Sequence, residues 1–250
     1  MEAGETLQVK KKTKMRELKN WDNKTWLSSI KYINSFNSFL LSKKKLNKKS
    51  KILDIGCGRG KIFGSLSRKF KFINKPIGID PVKHKDVDNS IEFINEDIFE
   101  FLKTNYTKFD LIMIKQTLHF FNKIKRKKLI TICKENLNKN GVLLIFSLNT
   151  LNNEIPCFRI MKKKLQRGLK RDFIMLKDIS KILKNNKTDK FKFNVSITKK
   201  EYIQMLKNRY ISCLINLSKV EINKGIKEIK ETYPNNIVFD DVLICIKFKN

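Results

Sequence analysis

The stretch Lys51–Lys61, KILDIGCGRGK, decides how the rest of the chain is interpreted. An apolar run with one acid, Asp54, passes into three glycines at alternate positions, and a second amphipathic run begins at Ile62. This order is typical of a buried strand, a tight turn and the start of a helix. Glycines permit the sharp turn and leave the backbone open to a ligand, because no Cβ stands in the way. Since a helix start also offers unpaired N–H groups, the stretch predicts a site for a polar or anionic small molecule.

The glycine spacing argues against a dinucleotide site. A dinucleotide motif reads G-x-G-x-x-G after the strand, whereas the sixth position counted from Gly56 is Lys61. The pattern here is G-x-G-x-G with an acid two residues ahead. D-I-G-C-G-R-G, residues 54–60, resembles the first motif of the class I S-adenosylmethionine-dependent methyltransferases. For this stretch alone, an ordinary strand–turn–helix without a ligand is the alternative.

The resemblance implies an α/β fold. The expected fold is a Rossmann-like seven-stranded methyltransferase sheet, mostly parallel with an antiparallel last strand, with helices on both faces and a helical cap. Apolar residues at helical spacing over 18–41 predict one or two cap helices. The expected division is a tail with cap helices (1–49), a cofactor-binding core (50–150), an insertion with the sixth strand (151–198), and further cap helices with a final edge strand (199–250). Thr198 and Glu201 in the stretch T-K-K-E predict a capping box ahead of a helix over about 199–217.

Acids at the ends of the next two strands complete the expected cofactor site. Asp80 ends a predicted strand 20 residues after Gly60, where nucleotide-binding sheets place the carboxylate that accepts from ribose hydroxyls. An Asp before Pro is also a common turn former. The resemblance implies that Asp97 accepts from the adenine amino group of S-adenosylmethionine and that the Ile98 N–H meets the ring. An acid that stabilises the start of a helix is the alternative for Asp97. The full set that it implies for the cofactor is Asp54, Gly56, Cys57, Gly58, Gly60, Asp80, Pro81, Asp97, Ile98, Lys115 and Gln116.

The fourth predicted strand ends in Lys115–Phe121, KQTLHFF. Open α/β sheets bind ligands beyond the carboxyl ends of their strands, so this tip is expected to border the transferred methyl group. Its L-H-F-F ending is similar to the trans-aconitate methyltransferase subgroup, although the usual Trp after His is Phe120. His119 is the candidate catalytic base or donor, with simple packing against its Phe neighbours as the alternative. The candidate acceptor-binding residues are Trp26, His119, Phe120, Arg209 and Tyr210.

Two nucleic-acid classes of the family lack their catalytic signatures in this chain. Amino-methylating enzymes carry N/D-P-P-Y/F where residues 115–118 read KQTL, and the Pro156–Cys157 pair lies too late for a cytosine-C5 enzyme. The second histidine, His84, falls in a polar loop and is expected to be exposed.

Composition limits the remaining possibilities. The net charge is +31, with 55 Lys and Arg against 24 Asp and Glu. Lys dominates together with Asn, Ile and Phe, which favours a solvated basic surface over a dedicated RNA site, since phosphate sites prefer Arg. Five scattered cysteines indicate a reducing cytosol, with no disulfide framework and no metal site. No apolar run is long enough to span a membrane, so a cytoplasmic protein without a membrane partner is expected, with its oligomeric state open.

These patterns predict an S-adenosylmethionine-dependent methyltransferase acting on a small carboxylate, hydroxyl or thiol. One alternative is an RNA methyltransferase on the same fold, which the charge of +31 keeps open. The other is a non-catalytic subunit that binds the cofactor and activates a partner. Fold alone does not separate the three.

Overall fold

A computed structural model of the chain describes residues 22–250, and one seven-stranded sheet organises them. The strand order is β3-β2-β1-β4-β5-β7-β6. The first five strands pair in parallel, and β7 runs antiparallel to both β5 and β6. The strands are β1 (Ile52–Ile55), β2 (Ile77–Ile79), β3 (Glu92–Ile94), β4 (Phe109–Lys115), β5 (Leu137–Leu148), β6 (Lys187–Thr198) and β7 (Asn236–Lys249).

Seven α-helices flank this sheet in the described part of the chain. They are α1 (Ile30–Lys43), α2 (Lys61–Phe70), α3 (Ile98–Thr104), α4 (Lys123–Glu135), α5 (Arg159–Ile182), α6 (Lys199–Lys207) and α7 (Lys219–Thr232). Aromatic side chains of α1 share one apolar cluster with α2, α6 and α7, and α3 and α4 pack in a second cluster. The expected α/β fold, with helices on both faces, is therefore confirmed. Every helix within residues 22–250 is too short or too polar to cross a lipid bilayer.

Local chemistry explains where several helices begin. The Ser29 hydroxyl accepts from the Tyr32 N–H at the start of α1. The predicted capping box of Thr198 and Glu201 is present at the start of α6, and it satisfies N–H groups that the first helical turn leaves unpaired. The N-terminal part of the expected cap helices, residues 18–21, lies outside the described residues.

Three expectations about the second half are corrected. The segment taken as an insertion is α5, a 24-residue helix whose buried side chains enter both core clusters, so it is part of the core. The final strand is not the edge strand, because β7 lies between β5 and β6. The helix expected over 199–217 ends at Lys207, since the chain turns at Arg209, whose φ is 51°.

Candidate active site

The glycine turn has the backbone that its sequence requires. Gly56, Gly58 and Gly60 have φ values of 73°, 56° and 68°, a left-handed region that side chains with a Cβ rarely adopt. The N–H groups of Gly56 and Cys57 both donate to the Ile79 carbonyl, at 2.8 and 3.2 Å. The turn is thereby fixed against the end of β2.

Each glycine has a different neighbour. A Cβ on Gly56 would lie 2.1 Å from Thr117 Oγ1, and one on Gly60 would lie 2.1 Å from Ile91 Cδ1. A Cβ on Gly58 would meet nothing within 4 Å among the described residues. Two of the glycines thus serve close packing within the protein, and Gly58 is the one whose backbone faces open space suited to a ligand.

Asp80 lies beside this open backbone and is only 9% exposed. Its Oδ2 accepts from the Gly58 N–H at 2.9 Å, and its Oδ1 accepts from the Val82 N–H at 2.9 Å. An ionised carboxylate has about four lone-pair sites, so each oxygen retains capacity for a ribose hydroxyl. The residues present therefore fit the ribose of S-adenosylmethionine.

The neighbouring His84 corrects one expectation. It is 8% exposed rather than solvated, and its Nε2 lies 3.6 Å from Asp80 Oδ1. The side chain folds back from the loop over the carboxylate, four residues along the chain.

Asp97 has the structural role that its position also suggested. It precedes α3, and its Oδ1 accepts from the Phe99 N–H at 2.8 Å, a helix cap. Ile98 is buried at 4% exposure, whereas Asp97 and Pro81 are exposed. A capping carboxylate keeps free lone pairs, so its predicted contact with adenine stays a prediction.

A small cavity of about 30 Å³ lies beyond the ends of β4 and β5, beneath the segment that precedes α1. The Trp26 Nε1–H donates to Asp241 Oδ2 at 2.9 Å, and the Trp26 and Tyr210 rings meet edge to face with centroids 5.3 Å apart. The cavity joins elements distant in sequence, and its walls include Trp26, Gln116, Leu148, Ile155, Tyr210 and Asp241.

The other acceptor candidates lie elsewhere. His119 packs against Phe120 with ring centroids 4.1 Å apart, and its buried Nε2 has no hydrogen-bond partner among residues 22–250. Burial, and then the charge of Arg171, lowers the pKa of His119 to about 4, which makes it a weak base. Phe120 is 55% exposed. Arg209 donates to the Leu217 carbonyl at 2.9 Å, within its own loop, so these three do not line the cavity.

Sequence reasoning missed two contributors to this site. Asp241 lies on β7 and is 1% exposed. The alternation of apolar and polar residues in the predicted final strand places Asp241 on the buried face, and an acid on a buried face could have identified it as a candidate site residue. Arg59, within the glycine turn, forms a bidentate ion pair with Asp22 at 3.0 and 3.1 Å. That pair fastens the segment before α1 onto the turn, and no local pattern identifies Asp22 as its partner.

Asp54 is expected to make folding stability depend on pH. It is 4% exposed, and burial raises its pKa from 3.8 to about 8, with Lys115 acting in the opposite direction. The folded protein thus holds this proton more tightly than the unfolded chain does. Its contribution to stability is complete below about pH 4 and is lost as pH rises through about 8. Melting temperatures of the wild type should fall from pH 5 to 8 by several degrees more than those of Asp54→Asn, and parallel curves would contradict the assignment.

Comparison with known proteins points to one family. Residues 52–141 match the family model described as a methyltransferase domain. The carboxy-S-adenosyl-L-methionine synthase of Campylobacter hominis is 30% identical over 110 residues, which are 41% of this chain and 46% of that protein. The chain thus spans about half the length of the curated relative that it matches.

Solved structures share the fold. A Bacillus halodurans protein assigned as a methyltransferase is 15% identical with a TM-score of 0.53, covering 86% of this chain and 98% of that one. A methyltransferase assigned to antibiotic biosynthesis in Anabaena variabilis is 12% identical with a TM-score of 0.57, covering 84% and 95%. The plantazolicin methyltransferase BpumL, with S-adenosylhomocysteine bound, is 16% identical with a TM-score of 0.51, covering 92% and 88%. Residues 52–141 thus match a methyltransferase domain, and the sheet has the fold that these solved structures share.

Proposed function

We propose that this protein transfers the methyl group of S-adenosylmethionine to a small molecule that bears a carboxylate, hydroxyl or thiol. The observation that carries the proposal is the cavity between the tips of β4 and β5, closed over by Trp26 and Tyr210. With a volume of about 30 Å³, it holds roughly one or two water-sized groups. A small acceptor group fits such a space, and a larger acceptor, whether an aromatic acid or a nucleobase, enters only when the segment over the cavity moves.

The chain's own residues would hold the cofactor along the carboxyl ends of the strands. The open backbone at Gly58 and the two carboxylate oxygens of Asp80 suit the ribose, and Asp97 with Ile98 suits the base. S-adenosylmethionine supplies an activated methyl group on a sulfonium. The protein then mainly has to align the two reactants and to exclude water. Trp26 and Tyr210, which cover the cavity, would exclude the water.

The acceptor's chemistry decides whether a base is required. When the acceptor is a carboxylate, an oxygen–carbon bond forms as the sulfur–carbon bond breaks, and no proton has to leave. A hydroxyl or thiol acceptor must also lose a proton. Asp241 is the carboxyl in the cavity wall, and burial raises its pKa against the opposing effect of its hydrogen bond from Trp26. We therefore assign to Asp241 the proton-accepting role that the sequence suggested for His119.

Two comparisons support this proposal at a coarse level. The Campylobacter hominis relative is named for making carboxy-S-adenosyl-L-methionine, which supports a ligand of the S-adenosylmethionine type. The plantazolicin methyltransferase, a protein of the same fold, was solved with a monoazolic desmethylPZN analogue and S-adenosylhomocysteine. The finer likeness to trans-aconitate methyltransferases stays a prediction from residues 118–121.

Calorimetry and a labelling assay test the proposal together. Purified protein should bind S-adenosylhomocysteine saturably, and label from methyl-labelled S-adenosylmethionine should reach a pool of small acids, alcohols and thiols rather than bulk RNA. Absence of S-adenosylhomocysteine binding would contradict the cofactor assignment. Binding without label transfer to either pool would favour the non-catalytic subunit instead.

A second candidate, an RNA methyltransferase, is favoured by one observation. The basic residues are not spread evenly, because α4 carries six Lys and Arg and α5 carries nine, against three Asp and Glu in both. The same two helices hold four of the eight arginines of the chain, and Arg is the residue suited to phosphate. A basic face of this kind binds polyanions by releasing counterions.

Charge reversal on α5 distinguishes this candidate from general attraction. If RNA is the acceptor, Arg167→Glu with Lys170→Glu should weaken tRNA binding at 150 mM salt by about tenfold or more and should flatten its salt dependence. The matched control is Lys224→Glu with Lys227→Glu on α7; all four side chains are exposed. Fluorescence anisotropy measures the tRNA affinity of both variants. Equal losses of affinity would indicate attraction of tRNA to the overall charge and would contradict the hypothesis of an RNA methyltransferase.

A further inference from the structure

Lys115, the last residue of β4, carries an ammonium group that has no ion pair or hydrogen bond with any residue of 22–250. The residue is partly buried, and its Nζ lies 5.5 Å from the ring centroids of both Tyr32 and Phe36 on α1. No described residue forms an ion pair or hydrogen bond with this Nζ; the ion pairs found within residues 22–250 all involve other cations. Within residues 22–250, the contacts of this ammonium are therefore with two aromatic rings.

A covered ammonium without partners is unfavourable for folding. It loses hydration that two aromatic faces replace only in part, and burial lowers the pKa of Lys115 in spite of the charges of Asp241, Asp54 and Asp22. Covered ionisable groups of this kind occur preferentially at functional sites. The arrangement is accounted for when a ligand supplies the missing anion.

Balancing the charge of Asp54 is the structural alternative, and the site does not support it. If Lys115 were retained to keep Asp54 ionised, the pKa of that carboxyl would stay low. Burial instead raises the pKa of Asp54 to about 8 with Lys115 already acting on it. Lys115 and Asp54 also form no ion pair among the described residues, so the Lys115 ammonium is not held by that carboxyl.

Other groups under α1 extend the polar surface around Lys115. The Tyr32 hydroxyl is fully buried and has no hydrogen-bond partner among the described residues. Asp241 holds the Trp26 indole at 2.9 Å and reaches the cavity that Gln116, the residue after Lys115, also lines. The Lys115 ammonium and the Tyr32 hydroxyl are therefore two unused donors among the described residues, and both suit an anion.

We propose that Lys115 binds the carboxylate of a small ligand at the carboxyl end of β4. The inference rests on the proposed function and deepens it. The carboxylate belongs either to the methyl acceptor or to the amino-acid arm of the cofactor. An ammonium at this tip also repels a cationic acceptor, so it selects against amines as well as for acids.

The test uses the full chain and Lys115→Met, which keeps the length of the side chain and removes its charge. The matched control is Lys139→Met, an exposed position on β5. Calorimetry measures binding of S-adenosylhomocysteine and of 5′-methylthioadenosine, which lacks the amino-acid arm. Benzoate and acetate are then titrated into the protein, with and without S-adenosylhomocysteine. NMR chemical shifts of the protein report whether the response to each acid is saturable.

Each outcome decides the proposal. If the cofactor supplies the carboxylate, Lys115→Met weakens S-adenosylhomocysteine binding by about tenfold or more and leaves methylthioadenosine binding unchanged. If the acceptor supplies it, both nucleosides bind as before and the saturable response to benzoate or acetate is lost. Equal weakening of both nucleosides, or no change in any titration, overturns the proposal.

Stability provides an independent readout. A structural lysine would lower the melting temperature when replaced, whereas loss of an unpartnered ammonium should leave the melting temperature of the ligand-free protein unchanged or raise it. If the wild type binds neither nucleoside, the proposed cofactor is refuted, but the proposal that Lys115 binds a carboxylate is not. The carboxylate titration and the melting temperature still decide the role of Lys115.

Discussion

Replacing Asp80 with alanine is expected to weaken binding of S-adenosylhomocysteine by about a hundredfold or more. The carboxylate accepts from the Gly58 and Val82 N–H groups at 2.9 Å each, and it retains lone pairs for ribose hydroxyls. A hydrogen bond to a charged group contributes roughly 1.5–3 kcal/mol, so loss of two ribose contacts accounts for that factor. Calorimetric titration of wild type and variant measures it directly.

Two controls separate ribose recognition from damage to the loop. Asp97→Ala removes a cap of α3 and a proposed contact with adenine. It should weaken S-adenosylhomocysteine binding less than Asp80→Ala does, because Asp97 is exposed to solvent. Asp80→Asn keeps the shape of the side chain and one acceptor oxygen, so it should fall between wild type and Asp80→Ala. If Asp80→Ala bound S-adenosylhomocysteine with unchanged affinity, the assignment of Asp80 to the ribose site would be wrong.

Replacing Gly60 with alanine is expected to destabilise the fold by about 2–5 kcal/mol. Its φ of 68° costs a residue with a Cβ about 1–2 kcal/mol, and overpacking adds about 1–3 kcal/mol because the new Cβ would lie 2.1 Å from Ile91 Cδ1. Urea unfolding measures the change. Gly58→Ala is the matched comparison, since its φ is 56° with nothing near the Cβ, and it should incur only the backbone cost.

A double-mutant cycle isolates the contact with Ile91. Ile91→Val removes the Cδ1 atom that the new Cβ would meet, so Gly60→Ala should cost clearly less in that background than in the wild type. Additive effects would show that the strain is entirely in the backbone. Gly58→Ala should also weaken S-adenosylhomocysteine binding more than Gly60→Ala does, because its Cβ would project into the open space beside Asp80.

The cofactor half of the site was predictable because its parts are close in sequence. The glycine turn and Asp80 follow from the strand–turn–helix pattern of residues 51–61 and from one strand spacing, both of which are local properties. Their mutual contact through the Gly58 N–H is a consequence of parallel pairing between β1 and β2, which the element order already implied.

The acceptor half was not predictable in the same way. Trp26 and Asp241 are 215 positions apart, and their contact depends on the insertion of β7 between β5 and β6. His119 lay in a motif that suggested catalysis, yet it packs against Phe120 and feels the charge of Arg171 instead. Lys115 was expected near the cofactor, but the absence of a partner for it within residues 22–250 is a three-dimensional property.

The sequence by itself determined the parallel strands of the sheet, the glycine turn and the acid at the end of β2, because periodicity, glycine conformation and strand spacing are properties of neighbouring residues. Only the tertiary structure decided where β7 lies in the sheet, which side chains line the proposed acceptor cavity, which of them are buried, and which cation has no ion pair within residues 22–250. Burial and charge pairing depend on contacts between segments far apart in the chain, and those contacts exist only after the core around α5 and β7 has formed.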